Sequence, residues 1–575
     1  MLRWSTRFKN QYTRQRISGI DMKLEGLLAS FLKGARPILH GVRSRVYRGR
    51  SKIEATVGTR FLGRELDEAA KSTLQESWRG LSDAAMGEKQ RTSSNSGEVR
   101  AFTRGYEFSN RGFLQPPLSP GWKELALGEG RLRVEENLPY AMVQKNGVSV
   151  VLLGVAIDSE KGISDSNLVA DHIADLISFG NSLEAIDEYA LWLGGRFVLI
   201  VGRGDQWRIH VDAMASRSCY WTVRNNQLFA ASHSALVARE IEEFSRNRAY
   251  WVLSNPDYVS PAGKWLPGRI TPHDCTDLVS ANCVLSFDGE TAVHSRIFPL
   301  EKHRVSAEYS PKEVARIVIG ELRMQTSAWL NTSDKSYLAL TSGQDSLVVL
   351  LSCIDIFQKQ FTKAMTYIFA EKNDPLGVRD LQGANFLALI SGLQHKVVQI
   401  KPFVFDGRFA AAYKKTFPNW ARFPALAKSM WQNFPKDSVV LFGIGGEIGT
   451  VFYKNRGEGA VNGEILASRF TTSKFSSNPG LIREMEEYIS FTQLNSVSPS
   501  LASFYDLYYW ENRMTNWAAA GYSEYELGPS IGLPFNTRRI IWPMLNLSYE
   551  NRLSKAVYKT IIRWSGWPLW LKMED

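Results

Sequence analysis

Apolar and polar residues alternate in two distinct ways along the chain. From about residue 100 to residue 298, short apolar runs are separated by turn residues, a pattern typical of β-strands. A helical pattern interrupts this stretch at 166–180, where Val169, Ile173 and Leu176 recur on one face. The strands predicted for this stretch cover 148–157, 195–201, 207–211 and 228–231.

Beyond about residue 308, predicted strands and helices follow one another in turn. The strands cover 337–340, 364–369, 396–400 and 438–442, and the helices between them include 347–351 and 380–392. Such alternation is typical of a parallel α/β sheet, which binds its ligands at the carboxyl ends of its strands. Helical patterns dominate the final stretch of the chain.

Positive charge is concentrated at the start of the chain. Residues 1–60 hold 14 Lys and Arg against 3 Asp and Glu, so this arm carries the whole net charge of +11. The neutral remainder argues against a nucleic-acid-binding body. The arm suits an anionic membrane, a nucleic acid or an acidic partner, and the alternative is an arm that packs on the body. Residues 87–98 are predicted to be a polar linker. Together with the change from a strand-rich pattern to strand–helix alternation, this linker predicts three regions: 1–99, 100–300 and 301–575.

The cysteines indicate neither a disulfide framework nor a structural zinc site. Cys219, Cys275, Cys283 and Cys353 form no C-x-x-C pair, and none lies near a histidine at metal-ligand spacing, which fits a reducing compartment. The sequence shows no cleavable signal and no apolar run long enough to span a membrane, so we expect a cytoplasmic protein.

Hydrophobic residues make up 44% of the 575 residues, which excludes a wholly disordered chain.

The segment Leu340–Ser346 is the most informative one for chemistry. A buried strand runs into a turn of glycine and hydroxyl residues, and a helix follows. Such a turn directs backbone N–H groups and hydroxyls at an anion. Asp345 suits a Mg²⁺ ligand that bridges to a phosphate. The alternative is an ordinary helix N-cap formed by Ser342 or Asp345, and local sequence leaves both interpretations open.

This segment resembles the pyrophosphate-binding loop S-G-G-x-D-S of the ATP-pyrophosphatase superfamily. The six aligned positions are Thr341, Ser342, Gly343, Gln344, Asp345 and Ser346. Thr341 and Ser342 depart from the pattern. The resemblance implies that the loop binds the pyrophosphate portion of ATP and that Asp345 binds Mg²⁺.

A second segment, Val440–Ile448, resembles the S-G-x-G-x-D-E motif of asparagine synthetases. Gly443 and Gly445 match and are expected to line the nucleotide site, while Glu447 stands where the family has a metal-binding Asp. Phe442 and Ile448 depart from the motif. Residues that fit the family's remaining patterns are Asp380, Ala384, Leu393, His395, Arg513 and the run Leu533–Asn536.

The region before residue 300 is similar to the body of the family's glutaminase-like domain. The matching positions are Leu152–Gly154, Gly195–Phe197, Asp212, Arg217 and Tyr220. The chain thus resembles divergent asparagine synthetase-like proteins, a group with β-lactam synthetases and lasso-peptide cyclases, over about residues 100–575. The implied fold class is α/β plus α+β: a degenerate Ntn-type glutaminase-like sandwich, then a parallel α/β ATP-pyrophosphatase domain with a helical C-terminal part.

Glutamine hydrolysis in this family requires an initial cysteine. This chain begins Met1-Leu2-Arg3, and the N-G-E-I-Y-N segment has no counterpart near 152–167. We therefore expect no glutaminase activity, and Cys219 is interpreted as a core or strand residue.

The resemblance implies a two-step reaction. A substrate carboxylate attacks ATP to give an acyl-adenylate and pyrophosphate, and an amine or ammonia then forms the amide. The expected cofactors are ATP and Mg²⁺, with Asp345 and Glu447 as metal ligands and Thr366 near the nucleotide. The substrate would be a small molecule or peptide with a carboxylate.

Second-step catalysis in the family often uses a lysine near the C-terminus. Lys572 is the candidate and Lys559 the alternative, against the interpretation that both are solvated surface lysines.

The rival hypothesis for the whole chain is a catalytically spent scaffold or binding protein. It would explain the substitutions at Ser342, Glu447 and Ile448.

Overall fold

A computed structural model describes residues 99–118, 121–260, 263–306, 308–369, 375–418, 423–457 and 459–566. The basic arm, the polar linker and Lys572 lie outside the described residues, which all belong to one compact unit. The boundaries 1–99, 100–300 and 301–575 stay predictions. Within the described ranges, no helix combines the length and the apolar character needed to cross a membrane.

The first half of the described chain forms two six-stranded antiparallel sheets. Their spatial orders are β10-β8-β9-β1-β3-β2 and β12-β11-β7-β6-β5-β4. The strands are β1 Tyr106–Ser109, β2 Trp122–Leu127, β3 Gly130–Glu135, β4 Tyr140–Lys145, β5 Val148–Ile157, β6 Gly194–Arg203, β7 Gln206–Val211, β8 Tyr220–Arg224, β9 Gln227–Ala231, β10 Asp277–Leu278, β11 Cys283–Phe287 and β12 Ala292–Arg296.

The second half contains a five-stranded sheet in which every pairing is parallel. Its strands are β13 Ser336–Ala339, β14 Lys363–Phe369, β15 His395–Ile400, β16 Val439–Leu441 and β17 Ser530–Gly532. The spatial order is β15-β14-β13-β16-β17. The order therefore reverses between β13 and β16, and this switch point is where open α/β sheets bind their ligands.

Helices cover the outer faces of the sheets and make up most of the C-terminal region. The α-helices are α1 Ser166–Gly180, α2 Asp187–Trp192, α3 Ser234–Glu240, α4 Asn247–Ser254, α5 Pro311–Leu330, α6 Gln344–Lys359, α7 Pro375–Ile390, α8 Gly407–Thr416, α9 Pro424–Asn433, α10 Gly446–Gly449, α11 Gly463–Phe470, α12 Pro479–Thr492, α13 Phe504–Tyr508, α14 Ala519–Tyr525, α15 Arg538–Leu545, α16 Tyr549–Leu553 and α17 Ala556–Trp564. A π-helix, Tyr509–Ala518, joins α13 to α14.

Alternation along β5 explains why the antiparallel sheets form a layered sandwich. Val151 and Leu153 pack into the core shared with the other sheet, which includes Phe108 of β1. Val150 and Leu152 point the other way, into the cluster formed with α1. Because successive side chains of a strand face opposite sides, one wholly apolar strand serves both layers.

The structure confirms the main elements that the sequence predicts. Strand 148–157 and helix 166–180 have the predicted bounds, and the four predicted parallel strands appear as β13 to β16 with ends shifted by at most one residue. The sequence pattern did not reveal β17, which is three residues long. So short a strand carries no periodic signal of its own.

Buried polar contacts join the sandwich to the parallel-sheet region. Asn536 donates to the carbonyl of Gly195 at 2.6 Å and to a carboxylate oxygen of Asp212 at 2.8 Å, and it accepts from the N–H of Met214 at 2.9 Å. Glu526 forms ion pairs with Arg196 and with Arg217. The motif-like segments of both halves thus meet at their junction.

Candidate functional site at the switch point of the parallel sheet

The turn after β13 is shaped by its own hydroxyl groups. The hydroxyl of Ser346 donates to the carbonyl of Gly343 at 3.2 Å and accepts from the N–H of Thr341 at 3.2 Å. The N–H of Gly343 donates to the hydroxyl of Thr341 at 3.0 Å. Gly343 is the N-cap of α6 and no side chain caps the helix, so the N-cap interpretation of Ser342 or Asp345 is wrong.

A carboxylate already lies against this turn. Asp380, on α7, accepts a hydrogen bond from the N–H of Ser342 at 3.1 Å and another from the Ser342 hydroxyl. Both bonds go to the same carboxylate oxygen of Asp380. The turn can therefore hold an oxyanion with donors from backbone and side chain.

The loop after β16 packs directly against the first turn of α6. A Cβ added to Gly443 would lie 2.8 Å from the backbone nitrogen of Ser346, and one added to Gly446 would lie 2.5 Å from an oxygen of Asp345. Gly445 has a φ of 102°, a conformation that favours glycine. Glycines at these positions allow the two loops of the switch point to touch.

This contact brings Asp345 and Glu447 together. Both side chains are half-buried. Burial raises the pKa of Asp345, and it raises the pKa of Glu447 to about 8, with the negative charge of Asp345 as the second cause. The carboxylates are therefore close enough to repel each other when both are ionised.

Three residues that the sequence did not assign to a site surround this pair. The hydroxyl of Tyr558, on α17, donates to Asp345 at 2.6 Å. The positive charge of Lys555 opposes the rise in the Asp345 pKa, and that of Arg513, in the π-helix, opposes the rise in the Glu447 pKa. The family pattern pointed to Arg513 without a role, and no motif marks Tyr558 or Lys555.

Thr366 lies beside the strand end rather than on the surface of the site. It is 3% exposed, and its hydroxyl donates to the carbonyl of Leu340 at 2.6 Å. Nε2 of His395 lies 2.9 Å from the same hydroxyl, and Nδ1 of that ring lies 3.1 Å from the amide oxygen of Asn385. Thr366 holds the end of β13 in place, and its predicted nucleotide contact stays a prediction.

The remaining predicted residues lie in different surroundings. Gln344 is the first residue of α6 and is half-buried. Lys559 follows Tyr558 on α17 but is exposed. On the same helix, it is Lys555 at the N-cap whose charge acts on Asp345.

The chemistry of the donor set fits a hard divalent cation. The described residues contain no cluster of three or more His, Cys, Asp or Glu side chains suited to a metal. Two facing carboxylates suffice for Mg²⁺ when water and phosphate oxygens complete its octahedron. Asp345 and Glu447 are the residues that would hold it.

Comparison with known proteins finds similar solved structures but no match by sequence. No protein-family model and no curated protein matches the sequence. Among solved structures, the chain is similar to glutamine phosphoribosylpyrophosphate amidotransferase from B. subtilis complexed with ADP and GMP (11% identity, TM-score 0.21, 69% of this chain and 75% of that chain). It is also similar to a structure of the allosteric regulatory enzyme of purine biosynthesis (11% identity, TM-score 0.22, 68% and 73%). Such values establish neither a shared fold nor a shared activity.

Proposed function

We infer that the chain is an ATP-dependent, AMP-forming carbon–nitrogen ligase of the asparagine synthetase-like type. The observation that carries this inference is the meeting of Asp345 and Glu447 across Gly446, beside a turn that holds an oxyanion. Both lie at the switch point of a parallel sheet. The sequence motifs of the two loops, taken with the resemblance, give the same assignment.

The physical problem in such a reaction is charge, since a carboxylate must approach a polyanion. Mg²⁺ held by Asp345 and Glu447 would supply positive charge for the leaving pyrophosphate. The N–H and hydroxyl of Ser342 would donate to a phosphate oxygen in place of Asp380. Arg513 adds a positive charge on the side of Glu447.

Tyr558 has a positioning role in this proposal. Its hydroxyl donates to one oxygen of Asp345 and so restricts the rotation of a carboxylate that would bind the cation. A carboxylate held in this way has less conformational freedom to lose when it binds a metal ion.

The nitrogen donor is proposed to be ammonia or an amine on the substrate, without a glutaminase step. Burial raises the pKa of Cys219, Cys283 and Cys353 to about 12 and that of Cys275 to about 11. These thiols stay protonated at neutral pH, which does not suit a cysteine nucleophile. Lys559 and Lys572 stay the candidates for the second step, and Lys555 joins them because of its position.

Binding of Mg·ATP tests the proposal without knowledge of the acceptor. We expect the full-length chain to bind ATP only with Mg²⁺, measured by calorimetry, and Asp345→Asn or Glu447→Gln to weaken binding at least about tenfold, as expected for loss of one charged ligand. Gly446→Ala should do the same, because its Cβ would collide with Asp345. Glu447→Asp should be tolerated better than Glu447→Gln, because it keeps a carboxylate.

Asp437→Asn is the matched control, since Asp437 is an exposed carboxylate that pairs with Lys335. Its Mg·ATP affinity should equal that of the unaltered chain. Failure of the unaltered chain to bind Mg·ATP would leave the scaffold hypothesis standing and overturn the ligase.

A further inference from the structure

Arg513, in the π-helix, carries a half-buried guanidinium group that forms no ion pair with a carboxylate of the described residues. Its Nε is shielded from water, and none of those residues accepts a hydrogen bond from it. A buried donor without an acceptor costs free energy, and most buried donors in folded proteins have partners. Arg513 is therefore a candidate contact for a ligand.

Carboxylates close to Arg513 in sequence are engaged by other arginines. Glu511, on the same π-helix, accepts two hydrogen bonds from Arg296, at 2.6 Å and 2.7 Å. Asp506, on α13, accepts one from Arg552 at 2.8 Å. Both carboxylates are thus bound to partners from other elements.

Aromatic rings hold the guanidinium group of Arg513 in place. Its central carbon lies 4.6 Å from the ring centroid of Trp517, 5.2 Å from that of Phe452 and 6.0 Å from that of Trp265. The rings attract the positive charge. They supply no oxygen or nitrogen acceptor for its N–H groups. The cation is thus fixed while its hydrogen-bonding capacity is left to a ligand.

The position of Arg513 is beside the proposed metal ligands. Burial raises the pKa of Tyr509, the negative charges of Glu447 and Asp345 add to the rise, and the positive charge of Arg513 opposes it. Phe452 stacks on Tyr509 with ring centroids 4.2 Å apart and is 43% exposed. The guanidinium group, the two carboxylates and an exposed aromatic ring therefore lie around one tyrosine.

Exposure distinguishes Arg513 from an ordinary surface arginine. Arg316, on α5, also has its guanidinium group over an aromatic ring, 5.4 Å from the centroid of Trp564. Arg316 is exposed, so water satisfies its N–H donors. Water does not reach the Nε of Arg513.

We propose that Arg513 binds an oxyanion, a carboxylate or a phosphate, beside Asp345 and Glu447. The planar fork of a guanidinium group matches the paired oxygens of either group with two parallel hydrogen bonds. The assignment rests on the proposed function, which brings a substrate carboxylate and the phosphates of ATP to the switch point. Phe452 would add apolar contact for a carboxylate that carries an apolar body.

Calorimetric titrations of the full-length chain in the presence of Mg²⁺ test the proposal with two probes, pyrophosphate and benzoate. We expect saturable binding of at least one probe, and Arg513→Gln should weaken it at least about tenfold through loss of a charge-assisted bond. Weaker binding of pyrophosphate alone would assign Arg513 to the phosphates of ATP. Weaker binding of benzoate alone would assign it to the substrate carboxylate, and weaker binding of both would indicate one position that accepts either group.

Three further measurements separate binding from a structural role. Arg316→Gln removes an exposed cation over an aromatic ring and should leave both affinities unchanged. Arg513→Lys should recover only part of the lost affinity, because an ammonium group lacks the planar fork. The ligand-free Arg513→Gln protein should keep nearly the same melting temperature, since removal of an unpaired buried donor costs little. A large fall in melting temperature would indicate a structural arginine and contradict the proposal.

Failure of this assignment and failure of the proposed function give different results. Unaltered affinity for both probes in Arg513→Gln, or saturable binding of neither probe, would overturn the oxyanion site even if the chain binds Mg·ATP. A chain that fails to bind Mg·ATP, but whose benzoate affinity depends on Arg513, would keep the oxyanion site and lose the ligase.

Discussion

At the scale of the residue, the surroundings of Glu447 determine the pKa of its carboxyl group. Its carboxyl accepts a hydrogen bond from the N–H of Gly445 at 3.0 Å, which favours the ionised form. Burial and the charge of Asp345 outweigh that bond and raise the pKa from 4.5 to about 8. A divalent cation would reverse this balance, because it stabilises both ionised carboxylates.

The raised pKa predicts that the metal-free protein loses stability as the pH rises. Below pH 4.5, Glu447 is protonated in the folded and unfolded states, and its contribution to stability is fully present. Between pH 4.5 and about 8 the unfolded state releases the proton while the folded state retains it, so stability falls through this window. Melting temperatures measured across it should show a shallower decline in Glu447→Gln. The exposed Glu550→Gln should keep the original slope, and an unaltered slope in Glu447→Gln would contradict the prediction.

At the scale of the element, α5 and the π-helix illustrate two kinds of local control. Helix α5 begins with a capping box, in which the side chains of Ser310 and Glu313 each accept a hydrogen bond from the other's backbone N–H. The start of this helix is therefore determined by residues that are close in sequence. The π-helix carries Glu511 and Arg513 on one continuous segment. Its wider turn shifts which residues share a face, and π-turns are frequent at functional sites.

Gly320→Ala in α5 should stabilise the protein. Gly320 is exposed in the helix interior, and an added Cβ would meet no atom within 4 Å. Alanine restricts the unfolded chain more than glycine does, which is worth about 0.5–1 kcal/mol. Urea unfolding measures the gain. Gly449→Ala is the opposing case and should destabilise the protein, because the added Cβ would lie 2.6 Å from the Cβ of Met544. A loss of stability in Gly320→Ala would contradict the argument.

At the scale of the whole molecule, buried ionic contacts bind the sandwich and the parallel sheet with its helices into a single unit. Arg296 of β12 forms a two-pronged pair with Glu511 of the π-helix at 2.6 Å and 2.7 Å. Asn282 also donates to Glu511, at 2.9 Å. Each charge depends on a partner from the other half, so separating the halves would leave charges buried without compensation.

Glu511→Gln should therefore destabilise both halves together. Loss of one partner of a buried pair costs about 3–5 kcal/mol. Calorimetry should show one unfolding transition in the unaltered chain and one at lower temperature in the variant. Asp437→Asn, which removes an exposed pair with Lys335, should change stability by less than about 1 kcal/mol. Two separate transitions, with only one shifted, would show that the halves unfold independently.

The sequence by itself determined the elements and the local shape of the turns. The apolar run of β5, the helical face of α1 and the glycine and hydroxyl residues of 341–346 are encoded within short segments, since periodicity and backbone freedom depend on adjacent residues. The last of these segments was enough to select Asp345 as a candidate, whereas Glu447 was selected through the resemblance of Val440–Ile448 to a family motif.

Only the tertiary structure decided how those candidates are surrounded. The strand order placed the loops after β13 and β16 side by side, and the bond to Asp345 comes from Tyr558, 213 residues away in sequence. Burial, which raises the pKa of Glu447, likewise depends on distant residues. Contacts of this range leave no periodic signal in the chain, because they arise when separate elements pack together.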